Sequence, residues 1–128
     1  MDLPASFAGL ACTWQTPCFN RFGEQVSPPA ITVHPARLEL AAEVLAMIEP
    51  HVVPGVSTEA LDSLCHDYIV NVQGAIPANL GYHGYPKTCC ISINDVICHG
   101  IPSEKQLLKE GDIVNIDITT ILSGYHGD

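Results

Sequence analysis

Apolar positions first fall into a regular pattern just after Arg37. Leu38, Ala41, Leu45 and Ile48 recur at helical spacing while Glu39 and Glu43 stand off that stripe, so an amphipathic helix is predicted. Pro50 lacks the backbone donor that a continuing helix needs, and Pro54-Gly55 supplies a turn. Ser57 then stands at an N-cap position, with Glu59 in the first turn, where the macrodipole favours negative charge. Leu61, Leu64, Cys65, Tyr68, Ile69 and Val72 follow on one face, and Gly74 occupies the C-terminal cap. A second helix is predicted there.

Beyond Gly74 the period changes from helical to alternating. After the loop Gly81 to Pro86 come two short β-prone runs, Thr88 to Ile93 and Val96 to His99, separated by the turn dipeptide Asn94-Asp95. Leu107 to Gly111 reads as a connection. Ile113 to Leu122 reads as a strand, and Ser123-Gly124 as the turn into a returning strand that reaches Asp128. Two helices followed by antiparallel strands indicate an α+β class. Residues 1–35 hold Pro4, Pro17, Pro28, Pro29 and Pro35 and neither period, so an irregular N-terminal extension is expected there, ahead of a folded region at 36–128.

Composition narrows the partners. A length of 128 residues suits one small domain. The net charge is −9, from 14 acidic and 5 basic side chains, which argues against a nucleic-acid surface or an anionic membrane as partner. No apolar run approaches the roughly 20 residues of a membrane-spanning helix. No basic residue precedes the mildly apolar Ala5 to Cys12, and the cysteines (Cys12, Cys18, Cys65, Cys89, Cys90, Cys98) form no CxxC pair. Reduced thiols and a cytoplasmic location are expected, without a structural zinc.

The last hairpin carries the clearest candidate chemistry. With Ser123-Gly124 as a two-residue loop, Leu122 pairs with Tyr125 and Thr119 with Asp128. Asp128 then shares a face with Asp117 as its diagonal neighbour, with Cβ atoms roughly 7–8 Å apart. Two carboxylates so placed repel unless a cation lies between them, and a divalent metal, or a pair about 3.5–4 Å apart, fits the gap. The alternative is a loop aspartate and an exposed strand aspartate; against it, Asp117 interrupts Val114, Ile116 and Ile118, where Asp is disfavoured.

The same arithmetic applied to an Asn94-Asp95 hairpin makes Cys90 and His99 cross-strand partners. Such a pair invites a thiol-nucleophile reading, but no nucleophile elbow accompanies it, and a pocket wall is the plainer role. Asp112 and His126 point away from Asp117 and Asp128 by parity, and His34, His51 and His66 stand singly. His83, among the loop aromatics, is placed to line a pocket.

Several ordered motifs resemble the type I methionine aminopeptidases. They are Leu40 to Leu45, Pro54 to Thr58, Gly81-Tyr82-His83-Gly84-Tyr85-Pro86-Lys87, Cys90 to Asp95, Cys98-His99-Gly100-Ile101-Pro102, Gly111 to Asp117, and Gly124-Tyr125-His126-Gly127-Asp128. The resemblance runs from about Arg37 to the end. It implies the N-terminal half of a pita-bread fold, two helices packed on a curved antiparallel sheet. It further implies removal of N-terminal methionine from nascent polypeptides near the ribosome by metal-activated water, in a monomer.

By motif match, Asp117 resembles a ligand of one of two divalent ions (cobalt, iron, manganese or zinc) and Asp128 a bridge between both. His99 resembles the histidine at the scissile peptide, and Tyr82, Tyr85 and Cys90 resemble the lining of the methionine side-chain pocket. Backbone carbonyls of Asn94 and Val96 resemble part of a monovalent-cation site. Three departures accompany the match. Residues 1–35 do not resemble the family's lead-in helix, and Asn79 stands where a pocket cysteine is common. The His and two Glu that complete the family's metal site do not follow Asp128. The resemblance therefore implies a truncated catalytic domain at 36–128, inactive as given. The alternative is a non-catalytic binding module derived from the same fold.

Overall fold

The computed structural model describes residues 35–128, with side chains from Glu39 onward, and the backbone of four residues upstream. The backbone divides into two units, Met1–Val33 and His34–Asp128. In the first, β1 (Cys18–Phe19) and β2 (Gln25–Val26) pair antiparallel. These four residues correct the expectation of an irregular stretch at their positions; the rest of that expectation, and the reading of His34, lie outside the described residues.

Helix α1 spans Pro35–Ile48. Its first residue is a proline, tolerated there because the first-turn N–H has no helical partner anyway. A 3-10 turn, Glu49–His51, ends it around Pro50. Ala41, Val44 and Ile48 form its buried face, whereas Leu45 is 43% exposed. The predicted stripe therefore keeps Ala41 and Ile48 and exchanges Leu45 for Val44. Val44 and Leu45 both suit helical spacing from Ala41 and Ile48, and packing against the rest of the unit selects Val44.

Helix α2 spans Thr58–Asp67, capped as predicted by Ser57, whose Oγ accepts the Ala60 N–H at 3.1 Å. It continues into a π turn, Tyr68–Val72, after which Ala75 N–H reaches the Ile69 carbonyl at 2.9 Å across Gly74 at φ 62. Leu61, Cys65 and Ile69 are buried, but Leu64 and Val72 are exposed. The buried stripe is narrower than predicted, and it includes Asp62. That carboxylate accepts the backbone N–H groups of Thr88 and Cys89 at 3.0 and 2.9 Å and the Cys89 thiol at 3.2 Å. A buried carboxylate needs such partners, and here they fasten α2 to the start of the next strand.

The strands are β3 (Ile76–Pro77), β4 (Cys90–Ile93), β5 (Val114–Asp117), β6 (Thr120–Leu122) and β7 (Tyr125–Gly127). They form two antiparallel sheets, β3-β6-β7 and β4-β5. The predicted continuous strand 113–122 is interrupted at Ile118-Thr119, where the chain leaves β4 and joins β3 and β7. Apolar side chains of both helices and of Ile91, Ile93, Leu108 and Ile118 close one core. The connection around Leu108 adds a short ladder to the start of α2, with Gly55 N–H to Leu108 O at 2.8 Å and Leu108 N–H to Val56 O at 2.9 Å.

One pairing differs from expectation. The Asn94-Asp95 turn forms, with Val96 N–H to Ile93 O at 3.1 Å, yet Val96 to His99 is not a strand and β4 pairs with β5 instead. Asn94 explains the redirection. Its amide donates to Asp112 Oδ1 at 2.9 Å, and its Oδ1 accepts Ile113 N–H at 3.0 Å. These bonds clamp the end of β4 to the start of β5. The chain after the turn swings out and returns only at Gly100, whose carbonyl accepts Ile91 N–H at 2.9 Å.

Candidate active site

The β6–β7 hairpin positions the first group. Ser123 and Gly124 have φ of 52 and 80, the left-handed pair of a type I′ two-residue loop, whose twist suits the flanking strands. The register is Leu122↔Tyr125, Ile121↔His126 and Thr120↔Gly127, so Thr119 comes opposite Asp128. Thr119 Oγ1 donates to Asp128 Oδ1 at 2.6 Å. Asp117 ends β5, where alternate residues Val114, Ile116 and Ile118 pack with the core and Asp117 lies on the other face.

Asp117 and Asp128 line one cleft of about 390 Å³, together with Asn115 and with Leu45 of α1. Carboxylate oxygens are hard donors of the kind divalent cations take. No group of three or more His, Cys, Asp or Glu suited to a metal occurs among the described residues. The donor chemistry of the two carboxylates fits a divalent ion.

The second group surrounds a cleft of about 500 Å³ lined by Tyr82, Tyr85, Cys90 and His99, with Asn79 and His83 among its walls. The loop that carries the tyrosines folds back on itself through Gly81 at φ 83 and Gly84 at φ 82, and Gly81 N–H reaches the Tyr85 carbonyl at 2.8 Å. The Tyr82 and His83 rings meet edge to face, with centroids 4.3 Å apart. Tyr85 turns inward, its hydroxyl shared between the carbonyls of Cys89 and Gly100, each at 3.1 Å. Burial and the neighbouring Cys90 raise the Tyr85 hydroxyl well above its ordinary value, so it stays a donor at neutral pH.

His99 stands exposed on the rim with φ 55. It is not the ladder partner of Cys90, contrary to the hairpin arithmetic, but the return of the chain at Gly100 still brings both to this cleft. The approach is close: a Cβ on Gly100 would lie 2.0 Å from the Ile91 carbonyl oxygen. Burial raises the Cys90 thiol, the nearby Tyr85 hydroxyl partly opposes this, and the Asp117 charge raises it again. A protonated, buried thiol suits a wall rather than a nucleophile.

Asp117 is the register partner of Cys90, so this pair stands between the two clefts. Asn94 and Val96 flank the exposed turn after β4. His66 bonds Thr88 Oγ1 at 2.9 Å, and Asp112 is held by Asn94 and the Lys109 N–H; both serve the scaffold. Sequence reasoning passed over Asp62, Gly100 and the hydroxyl of Thr119. Only Thr119 had a legible signal, its place opposite Asp128 in the hairpin. No helix among the described residues is long and apolar enough to cross a membrane.

Comparison with known proteins adds the chemical context. A profile of metallopeptidase family M24 matches residues 36–128. The chain is 70% identical over 89 residues to the methionine aminopeptidase of Escherichia coli K12, an alignment covering 70% of this chain and 34% of that protein. The crystal structure of methionine aminopeptidase from Rickettsia prowazekii superposes with a TM-score of 0.68 at 54% identity, over 71% of this chain and 36% of that one. The enzyme from Thermotoga maritima gives 0.66 at 29% identity, over 73% and 40% of the respective chains. The α+β arrangement of two helices with antiparallel strands is thus that of part of the methionine aminopeptidase fold. The chain spans about a third of the length of the curated relatives it matches.

Proposed function

Because the chain belongs to metallopeptidase family M24, we propose that it carries one side of the active site of a metal-dependent methionine aminopeptidase. The observation that supports this reading is the meeting of two clefts at Cys90 and Asp117, one lined by two carboxylates and one by aromatic and thiol groups. The substrates are polypeptides that begin with methionine, emerging near the ribosome in the cytoplasm.

In this reading Tyr82, Tyr85 and Cys90 receive the methionine side chain, whose soft thioether favours contacts with ring edges and sulfur. The shared Tyr85 hydroxyl bond keeps that ring against the Gly100 segment. His99, on the exposed rim of the same cleft, reaches the first peptide bond and hydrogen-bonds it. Asp117 and Asp128 would together hold the divalent metal, Asp117 as a ligand of one ion and Asp128 as a ligand common to both of a pair; cobalt, iron, manganese and zinc are the candidates. When bound, the metal supplies a Lewis acid and an acidified water for peptide hydrolysis. The carbonyls of Asn94 and Val96 offer a place for a monovalent cation.

Two carboxylates are fewer ligands than a tight catalytic centre uses. The chain alone is therefore expected to bind Mn²⁺ and to leave a Met-Ala peptide uncleaved. Calorimetric titration of the chain with Mn²⁺, beside its Asp117→Asn and Asp128→Asn variants, tests the assignment. Binding that both substitutions weaken supports it; no binding, or binding indifferent to both, defeats it.

A further inference from the structure

The Thr119 hydroxyl has a task that strand formation does not require. We propose that Thr119 is a positioning residue, holding the Asp128 carboxylate in the orientation that lets it take a divalent cation together with Asp117. The inference rests on the metal reading of those two aspartates.

The geometry begins with the backbone. Thr119 C=O accepts the Ala78 N–H at 2.9 Å, so the residue is tied to the chain beside β3 whatever its side chain is. The type I′ loop at Ser123-Gly124 then brings Asp128 opposite it. Asp128 itself is exposed, and an exposed aspartate keeps several rotamers unless something selects one.

Thr119 makes that selection. Its β-branched side chain is stiff at χ1, so the hydroxyl direction follows from the backbone that the Ala78 bond holds. The Oγ1–Oδ1 distance of 2.6 Å lies in the range of a charge-assisted O–H···O⁻ bond. A hydroxyl has one proton to give, and a carboxylate has about four acceptor sites. The bond therefore takes one site at Oδ1 and leaves acceptor sites on both oxygens for a cation in the shared cleft. Asp117, two residues along the chain, shares that cleft with Asp128.

Two substitutions separate this role from a structural one. Thr119→Val keeps shape and β-branching but removes the proton; Thr119→Ser keeps the proton. The full chain and both variants are titrated with Mn²⁺ by calorimetry, with the electron paramagnetic resonance of bound Mn²⁺ as a second readout and urea unfolding as a control. Thr119→Val is expected to weaken Mn²⁺ about 10- to 100-fold, the usual cost of losing a group that orients a metal ligand. Its spectrum should also change, while Thr119→Ser stays near the wild-type affinity. Equal affinities for wild type and Thr119→Val would overturn the proposal, as would a Ser variant as weak as the Val variant. If the wild-type chain binds no Mn²⁺, or ignores loss of Asp117 and Asp128, the metal reading falls and the role of Thr119 with it.

Discussion

Cys90 and Asp117 stand directly opposite one another in the antiparallel pair β4–β5. Their side chains therefore share a face, and the carboxylate raises the thiol beside it. One member belongs to the aromatic cleft and the other to the carboxylate cleft. The pairing links two groups that lie 27 positions apart in the chain.

Thiol chemistry should follow burial at this pair. Cys90 is 6% exposed and Cys65 and Cys89 are wholly buried, whereas Cys98 is exposed. Under native conditions at neutral pH, iodoacetamide is expected to modify Cys98 at least roughly tenfold faster than Cys65, Cys89 and Cys90. Peptide mapping by mass spectrometry measures this, and preferential labelling of Cys90 would restore the thiol-nucleophile reading.

Gly100 admits no side chain. An alanine there would press its Cβ to 2.0 Å from the Ile91 oxygen and force the return segment off β4. Gly100→Ala should cost about 2–3 kcal/mol or more, as overpacking against rigid neighbours does. A urea midpoint unchanged from wild type would refute the close approach.

Asp62 should matter for stability rather than for chemistry. In Asp62→Ala the buried N–H groups of Thr88 and Cys89 lose their acceptor, at about 1–3 kcal/mol for each unpaired group. Asp62→Asn keeps a carbonyl oxygen and should lose less. Hydrogen exchange at Thr88 and Cys89 is expected to accelerate in the alanine variant first; protection equal to wild type would contradict the anchoring role.

Asp112 carries a pH dependence. The Asn94 amide and the Lys109 backbone N–H hold its carboxyl below its ordinary value. A depressed folded-state value means stability that is present above the usual carboxylate range and lost as the pH falls through the folded value. Wild type should therefore lose more stability below about pH 4 than Asp112→Asn does. Parallel acid denaturation curves for the two would remove Asp112 from the clamp.

Much of the local architecture was legible in the residues themselves. Ser57 caps α2, Gly74 takes positive φ after it, and Ser123-Gly124 forms a two-residue loop. Each depends on contacts within a few positions and on the φ a residue tolerates. Asp117 and Asp128 do line one cleft, although the strand whose parity placed them on one face is broken at Ile118-Thr119 and only the hairpin register from Thr120 onward follows that parity.

Parity remained useful only while the partner was right. For β4 it assumed the nearest strand-like text, Val96 to His99, and missed β5. Likewise Leu45 and Val44 are indistinguishable by helical period, yet one is 43% exposed and the other wholly buried.

From sequence alone came the α+β class, the caps and turns, the last hairpin's register and the family motifs that name the candidate residues. Tertiary structure decided the partner of β4, the buried phase of α1, the anchoring by Asp62 and the juxtaposition of Cys90 with Asp117. The difference is physical. Turns and parity are set by covalent geometry over a few residues, whereas strand partnership and helix phase are settled by competition for burial and hydrogen bonds between segments far apart in the chain.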